Sequence, residues 1–197
     1  MSSHVNARES ATNEERAFCL VSGHRVLDLL ATLRERHLEP VECLREPKDL
    51  DRWLELAGFS IESSATQADL GSARELRETV NRLVRATLAG DGLPRHDRST
   101  LNEWAREPAL APQVGPKLDL RWSGGVRAAL ATLAREAGEL LTSPQARLIR
   151  ECAAAPNCSR LYLDRSRGRR RRWCRMEWCG SSAKMRAYRQ RLIADHA

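Results

Sequence analysis

The chain has 197 residues, room for one domain with an appendage or for two small domains. Its 42% hydrophobic content suits an ordinary core, and no apolar run approaches the ~20 residues of a membrane span, which excludes a helical membrane protein. The net charge of +7 is unevenly placed: residues 147–197 hold thirteen arginines and one lysine against four acids, a net +10, while the rest carries −3. A basic module after a near-neutral one is the pattern of a polyanion-binding tail, weighed against a solvated basic face with no partner.

In chain order, residues 1–16 are polar and mixed in charge, which predicts a disordered N-terminus. They lack the apolar stretch of a secretory signal, so the expected location is the cytoplasm. Ala17 to Val21 is a short apolar run ended by Ser22-Gly23 and predicts a brief strand. From His24 the apolar spacing of Val26, Leu27, Leu30 and Leu33 predicts a helix running to Pro40. A second helix is expected after Pro47, with Leu50, Trp53, Leu54 and Ala57 inward and Gly58 as its stop. Residues 60–68 read as a loop.

The clearest helix spans 70–90, where Leu76, Val80, Leu83, Val84 and Leu88 recur three to four apart and Gly90 closes the run. Ser99 is placed to cap a shorter helix ending at Arg106. Prolines and a glycine then interrupt the chain. Leu118 to Trp122 reads as a strand that pairs with Gln113-Val114, and a last helix covers Val126 to about Thr142. The shift in composition near Pro144 divides the chain into 17–144 and 145–197.

The helical part contains no convergent catalytic set. His24, His37 and His96 lie apart, and neither a Gly-rich phosphate loop nor a nucleophile elbow is present. Cys19 and Cys43 sit in or beside apolar segments and read as buried hydrophobes. No enzyme is expected.

The other four cysteines form the pattern Cys152-x5-Cys158-x15-Cys174-x4-Cys179. Four soft thiolates arranged in a tetrahedron suit one structural zinc ion, and two turn-linked pairs supply them without a large core. Two disulfides are the competing reading, but they need an oxidising compartment; scattered thiols are another. Between the pairs, Leu161-Tyr-Leu163 is expected as a strand, Ser166-Arg-Gly168 as a turn and Arg170 to Trp173 as the return strand. Gly180 offers a positive φ after the last cysteine. Trp173 and Trp178 are expected to cover the metal. From Ser181 onward a basic helix is expected, with Met185, Tyr188 and Leu192 on one face.

These residues resemble a CGNR-type zinc finger. The shared elements are Cys152 and Cys158, Leu161-Tyr-Leu-Asp-Arg-Ser166, Arg169 to Arg172, Trp173-Cys174-Arg175-Met176, and Cys179-Gly180. Ser181-Ser182 stand where that family has Asn-Arg, which removes two candidate nucleic-acid contacts. The stretch from Ala17 to Phe59 resembles the ABATE domain that precedes such fingers, with Ala31 where an Asn is usual. The resemblance implies an α+β, mainly helical fold: a helical domain with a small β-sheet, then a β-hairpin bound to zinc through four cysteines, and a C-terminal helix. It also implies a stress-responsive bacterial transcription regulator that binds double-stranded DNA.

The expected nucleic-acid contacts are Arg169, Arg170, Arg171, Arg172 and Arg175 of the finger, with Lys184, Arg186, Arg189 and Arg191 of the following helix. RNA binding is the first alternative. A protein-interaction module or small-molecule sensor is the second. For an effector held by the N-terminal domain, Asp28 is the candidate residue, against a plainer role as a helix-surface or capping residue. Homo-oligomerisation is left open.

Overall fold

Short apolar stretches closed by glycines and longer amphipathic ones set the frame of the computed structural model, which describes residues 18–194. The expected disorder of 1–16 lies outside the described residues. The first helix, α1 (Arg25–Leu30), is opened by His24, whose Nδ1 accepts the Val26 N–H at 3.3 Å. It buries Val26, Leu27, Leu29 and Leu30. The expected continuation to Pro40 does not form. The Thr32 hydroxyl donates to the Leu29 carbonyl at 2.7 Å and Arg36 donates to that of Leu30 at 3.2 Å, so side chains satisfy the helix end. The chain then turns, with Glu35 at φ 52°, and β1 (Leu33–Arg34) pairs antiparallel with β2 (Val41–Glu42).

The reason lies in Arg77, far off in sequence and only 3% exposed. Its guanidinium donates to Glu42 at 2.7 and 2.6 Å, to Glu78 at 2.7 Å and to the Thr32 hydroxyl at 3.1 Å. A buried cation needs its counter-ions, and the hairpin delivers Glu42 to it. Helical periodicity in 24–39 carries no trace of that demand.

The second helix, α2 (Pro47–Leu56), matches expectation: Leu50, Trp53 and Leu54 are buried and Gly58 takes φ 84°. Within the expected loop, β3 (Ser60–Ile61) forms a two-residue strand. Helix α3 (Gln67–Ala89) begins three residues before the expected start, where the Thr66 hydroxyl accepts the Asp69 N–H at 3.2 Å, and ends at Gly90 with φ 75°. Ser99 is not a cap. It lies inside α4 (Arg95–Arg106), whose first turn is pinned to α3 by Arg82 on the buried Asp97 at 2.7 Å.

The next hairpin, β4 (Ala111–Val114) and β5 (Leu120–Gly124), has the expected pairing, with Gln113 opposite Arg121 and Val114 opposite Leu120. β3 lies parallel on the other side of β5, in the order β3-β5-β4. Helix α5 (Val126–Thr142) then returns through the core.

One apolar core unites α1, α2, α3 and α5, and it continues past residue 144. Ile149, Leu161 and Leu163 belong to it. They come from β6 (Ile149–Glu151) and β7 (Leu161–Leu163), paired antiparallel with Ile149 opposite Leu163. The partner of β7 is therefore β6. The expected return strand over Arg170–Trp173 is absent, and those residues run as irregular chain. Nor do Phe18–Val21 form the expected strand; they lie beside β7, where Leu163 N–H donates to the Ser22 carbonyl at 2.8 Å and Arg160 to that of Cys19 at 2.7 Å. Among the described residues no helix is long and apolar enough to cross a membrane.

Candidate metal centre and basic face

Cys152 leaves the end of β6, and the chain reverses through a cis Ala155-Pro156 bond to bring Cys158 back beside it. Cys174 enters from the irregular stretch after β7. Cys179 lies in a single wide helical turn, Met176–Gly180, that leads directly into α6 (Ser181–Ala194). All four sulfurs lie within 4.8 Å of one another. Cys158 Sγ is 3.8 Å and Cys179 Sγ 3.6 Å from Cys174 Sγ. Zinc–sulfur bonds of about 2.3 Å in a tetrahedron place sulfurs about 3.8 Å apart, so the set fits one zinc ion.

The electrostatics agree. Hydrogen bonds from the other three thiols, Cys158 first, hold Cys152 far below the usual thiol range, and the same crowding pushes Cys174 and Cys179 well above it, with Cys152 the main cause. Four thiolates cannot share this volume without a cation, which zinc supplies.

The support around the centre is built by residues that spacing did not single out. Tyr162 is fully buried behind the cysteines, and its hydroxyl donates to the Arg171 carbonyl at 2.6 Å. Burial pushes its pKa up to about 12. Asp164, also buried, closes the turn: its carboxylate accepts the Ser166 hydroxyl at 2.6 Å, the Ser166 N–H at 3.0 Å and the Arg171 N–H at 3.1 Å. These bonds, that of the Ser166 hydroxyl foremost, hold its carboxyl below the usual range. An Asp two residues before a Ser, in a strand-to-turn passage, was the available signal.

Arg171, expected on nucleic acid, is committed to the fold. Its guanidinium lies 4.5 Å over the Tyr162 ring and donates to the carbonyls of Trp173, at 2.9 Å, and Cys174. Its neighbours differ. Arg169, Arg170 and Arg172 are exposed and make no ion pair among the described residues. Arg172 stacks on Trp173 at 5.1 Å, and Arg175 on Trp178 at 4.5 Å. Arg175 also pairs with Glu177 at 3.2 Å and donates to the Cys19 sulfur at 3.4 Å. Cys19 is thus half-buried and in polar contact, whereas Cys43 is a buried thiol as expected.

On α6, Lys184, Arg186, Arg189 and Arg191 are all exposed. So is the face expected to be apolar, with Met185 and Tyr188 each 52% and Leu192 42% accessible. Trp173 covers the metal centre, but Trp178 is 40% exposed and does not. Gly180 does not take a positive φ. It is buried, and a Cβ there would only have to displace the sulfur of the exposed Met176 side chain. Ser181, at the position of the family Asn, donates its hydroxyl to the Met176 carbonyl at 3.2 Å. Asp28 faces the chain itself: it is buried, accepts the Ser22 N–H at 2.9 Å and lies 3.8 Å from Arg160. Burial raises its pKa.

A four-cysteine centre carried on a strand pair, a wide turn and a basic helix, and joined to a helical domain, defines a zinc-finger protein of two parts. The chain belongs to the ABATE family, described as "putative stress-induced transcription regulator", which it matches over residues 23–144. Residues 148–192 match the CGNR zinc finger. No curated protein matches the sequence.

Proposed function

We propose that this protein is a DNA-binding transcription regulator that uses the zinc centre to present a basic face to duplex DNA. The observation that carries this reading is the run of exposed cations flanking the cysteines in the chain that have no ion-pair partner among the described residues: Arg169, Arg170 and Arg172 before Cys174, and Lys184, Arg186, Arg189 and Arg191 on α6 after Cys179. A cluster of one sign without internal counter-ions is stabilised by an external polyanion, and arginine forks suit phosphate oxygens. The zinc is structural in this reading, because four thiolates close its coordination sphere and leave no open position for catalysis. A regulator of this kind acts in the cytoplasm.

The test is duplex binding as a function of salt. Changing Arg169, Arg170 and Arg172 together to Ala should weaken binding and flatten the slope of log affinity against log salt by about 0.9 for each phosphate that is no longer neutralised. Zinc content should stay at about one per chain, since Arg171 is retained. Binding unchanged at every salt concentration would leave the arginine run as a solvated turn. An RNA reading has its own support in Trp178, 40% exposed with Arg175 stacked on its ring, an aromatic–arginine pair of the kind that can stack with a base. Tighter binding of single-stranded RNA than of duplex DNA in the same assay would favour it.

A further inference from the structure

The structure assigns a small-molecule site to the groove between the N-terminal hairpin and the finger. This groove has a volume of about 950 Å³. Leu33 and Arg34 of β1 line one wall; Trp178, Met185, Arg186 and Arg189 line the other. The size falls at the upper end of the range of about 300–1,000 Å³ typical of ligand pockets. The lining mixes apolar Leu33, Trp178 and Met185 with a larger number of polar and charged groups, and its two acids are already paired, Glu35 with Arg34 and Glu177 with Arg175.

The chemistry of the occupant follows from the charges. Arg34 is paired with Glu35 at 3.4 Å, whereas Arg186 and Arg189 have no ion-pair partner among the described residues. They lie three residues apart on one helix, so both guanidinium groups can address one carboxylate or sulfonate. Cys158, Cys174 and Cys179 also line the groove. With zinc bound, four thiolates would carry a net charge of −2, which favours an anion on the arginines over one beside the cysteines. The ligand is therefore an amphipathic organic anion: its acid group on Arg186 and Arg189, its aromatic or branched apolar body against Trp178, Met185 and Leu33. Because the two walls come from different parts of the chain, such a ligand bridges them. It also engages two of the cations proposed for DNA, so occupancy should oppose duplex binding. The site itself does not depend on that reading.

The experiment is a fluorescence titration of the zinc-loaded full chain with 8-anilinonaphthalene-1-sulfonate, an aryl body with one anionic group. Its neutral analogue, N-phenyl-1-naphthylamine, is titrated in parallel. The sulfonate should bind at one site per chain and quench tryptophan emission. R186Q/R189Q should weaken the sulfonate by about tenfold or more, as expected for loss of charge-assisted bonds, and leave the neutral probe within about twofold. L33E, on the other wall and away from the metal, should weaken both probes. Sulfonate binding that survives R186Q/R189Q, or that ignores L33E, would overturn the proposal. Duplex binding measured on the same L33E protein separates the two ideas: it should be unchanged, since Leu33 is not among the proposed DNA contacts.

Discussion

Arg170, Arg171 and Arg172 are the same residue type three times over, yet the structure divides them sharply. Arg171 is held by a ring and by backbone carbonyls next to a zinc ligand, while its neighbours point to solvent. Arg171→Ala leaves those carbonyls short of donors, and it should destabilise the finger by roughly 1.5–3 kcal/mol, the range for hydrogen bonds to charged groups. Arg170→Ala should cost within about 0.5 kcal/mol, as surface changes do. Urea unfolding followed by tryptophan emission distinguishes the two, and equal effects would show that Arg171 is also a surface residue. Nothing in the run of arginines marks the central one; the distinction comes from Asp164 and Tyr162, which take the Arg171 backbone into the turn.

At the level of elements, the metal takes the place of a core. The turn Met176–Gly180 and helix α6 leave Met185, Tyr188 and Leu192 exposed, so apolar burial does little to order them. Cys174→Ser and Cys179→Ser should each lose zinc and the helical signal of α6, measured by metal analysis and far-ultraviolet circular dichroism. Cys19→Ser and Cys43→Ser should retain both. Full zinc in either of the first two variants would rule out this ligand set. The helices α2, α3 and α5 were legible from apolar spacing and glycine stops, and the β4–β5 hairpin from its alternation and breakers. The end of α1 and the start of α4 were not, because Arg77 with Glu42, and Arg82 with Asp97, act across the fold.

For the molecule as a whole, the two family matches divide between residues 144 and 148, while the apolar core of the helices continues across that point. Ile149, Leu161 and Leu163 pack with the helices, and Arg36 N–H donates to the Ser159 hydroxyl at 3.2 Å across the same junction. Removing zinc with a chelator should therefore open the chain to protease beyond about residue 164 while 149–163 stay protected, as local stability follows local burial. Mass spectrometry of the fragments locates the cuts. Early cleavage between 149 and 163 would show that the β6–β7 pair needs the metal after all.

The sequence by itself determined the metal site, because four cysteines at those spacings carry their own chemistry and a zinc ion requires little more than their convergence. It also determined most helices, whose apolar faces repeat locally. Tertiary structure decided the rest: which strand pairs with β7, where α1 stops, which arginine serves the fold, and that a groove opens between β1 and α6. Each of these depends on a partner distant in the chain, and a pattern that runs along the chain does not encode so distant a neighbour.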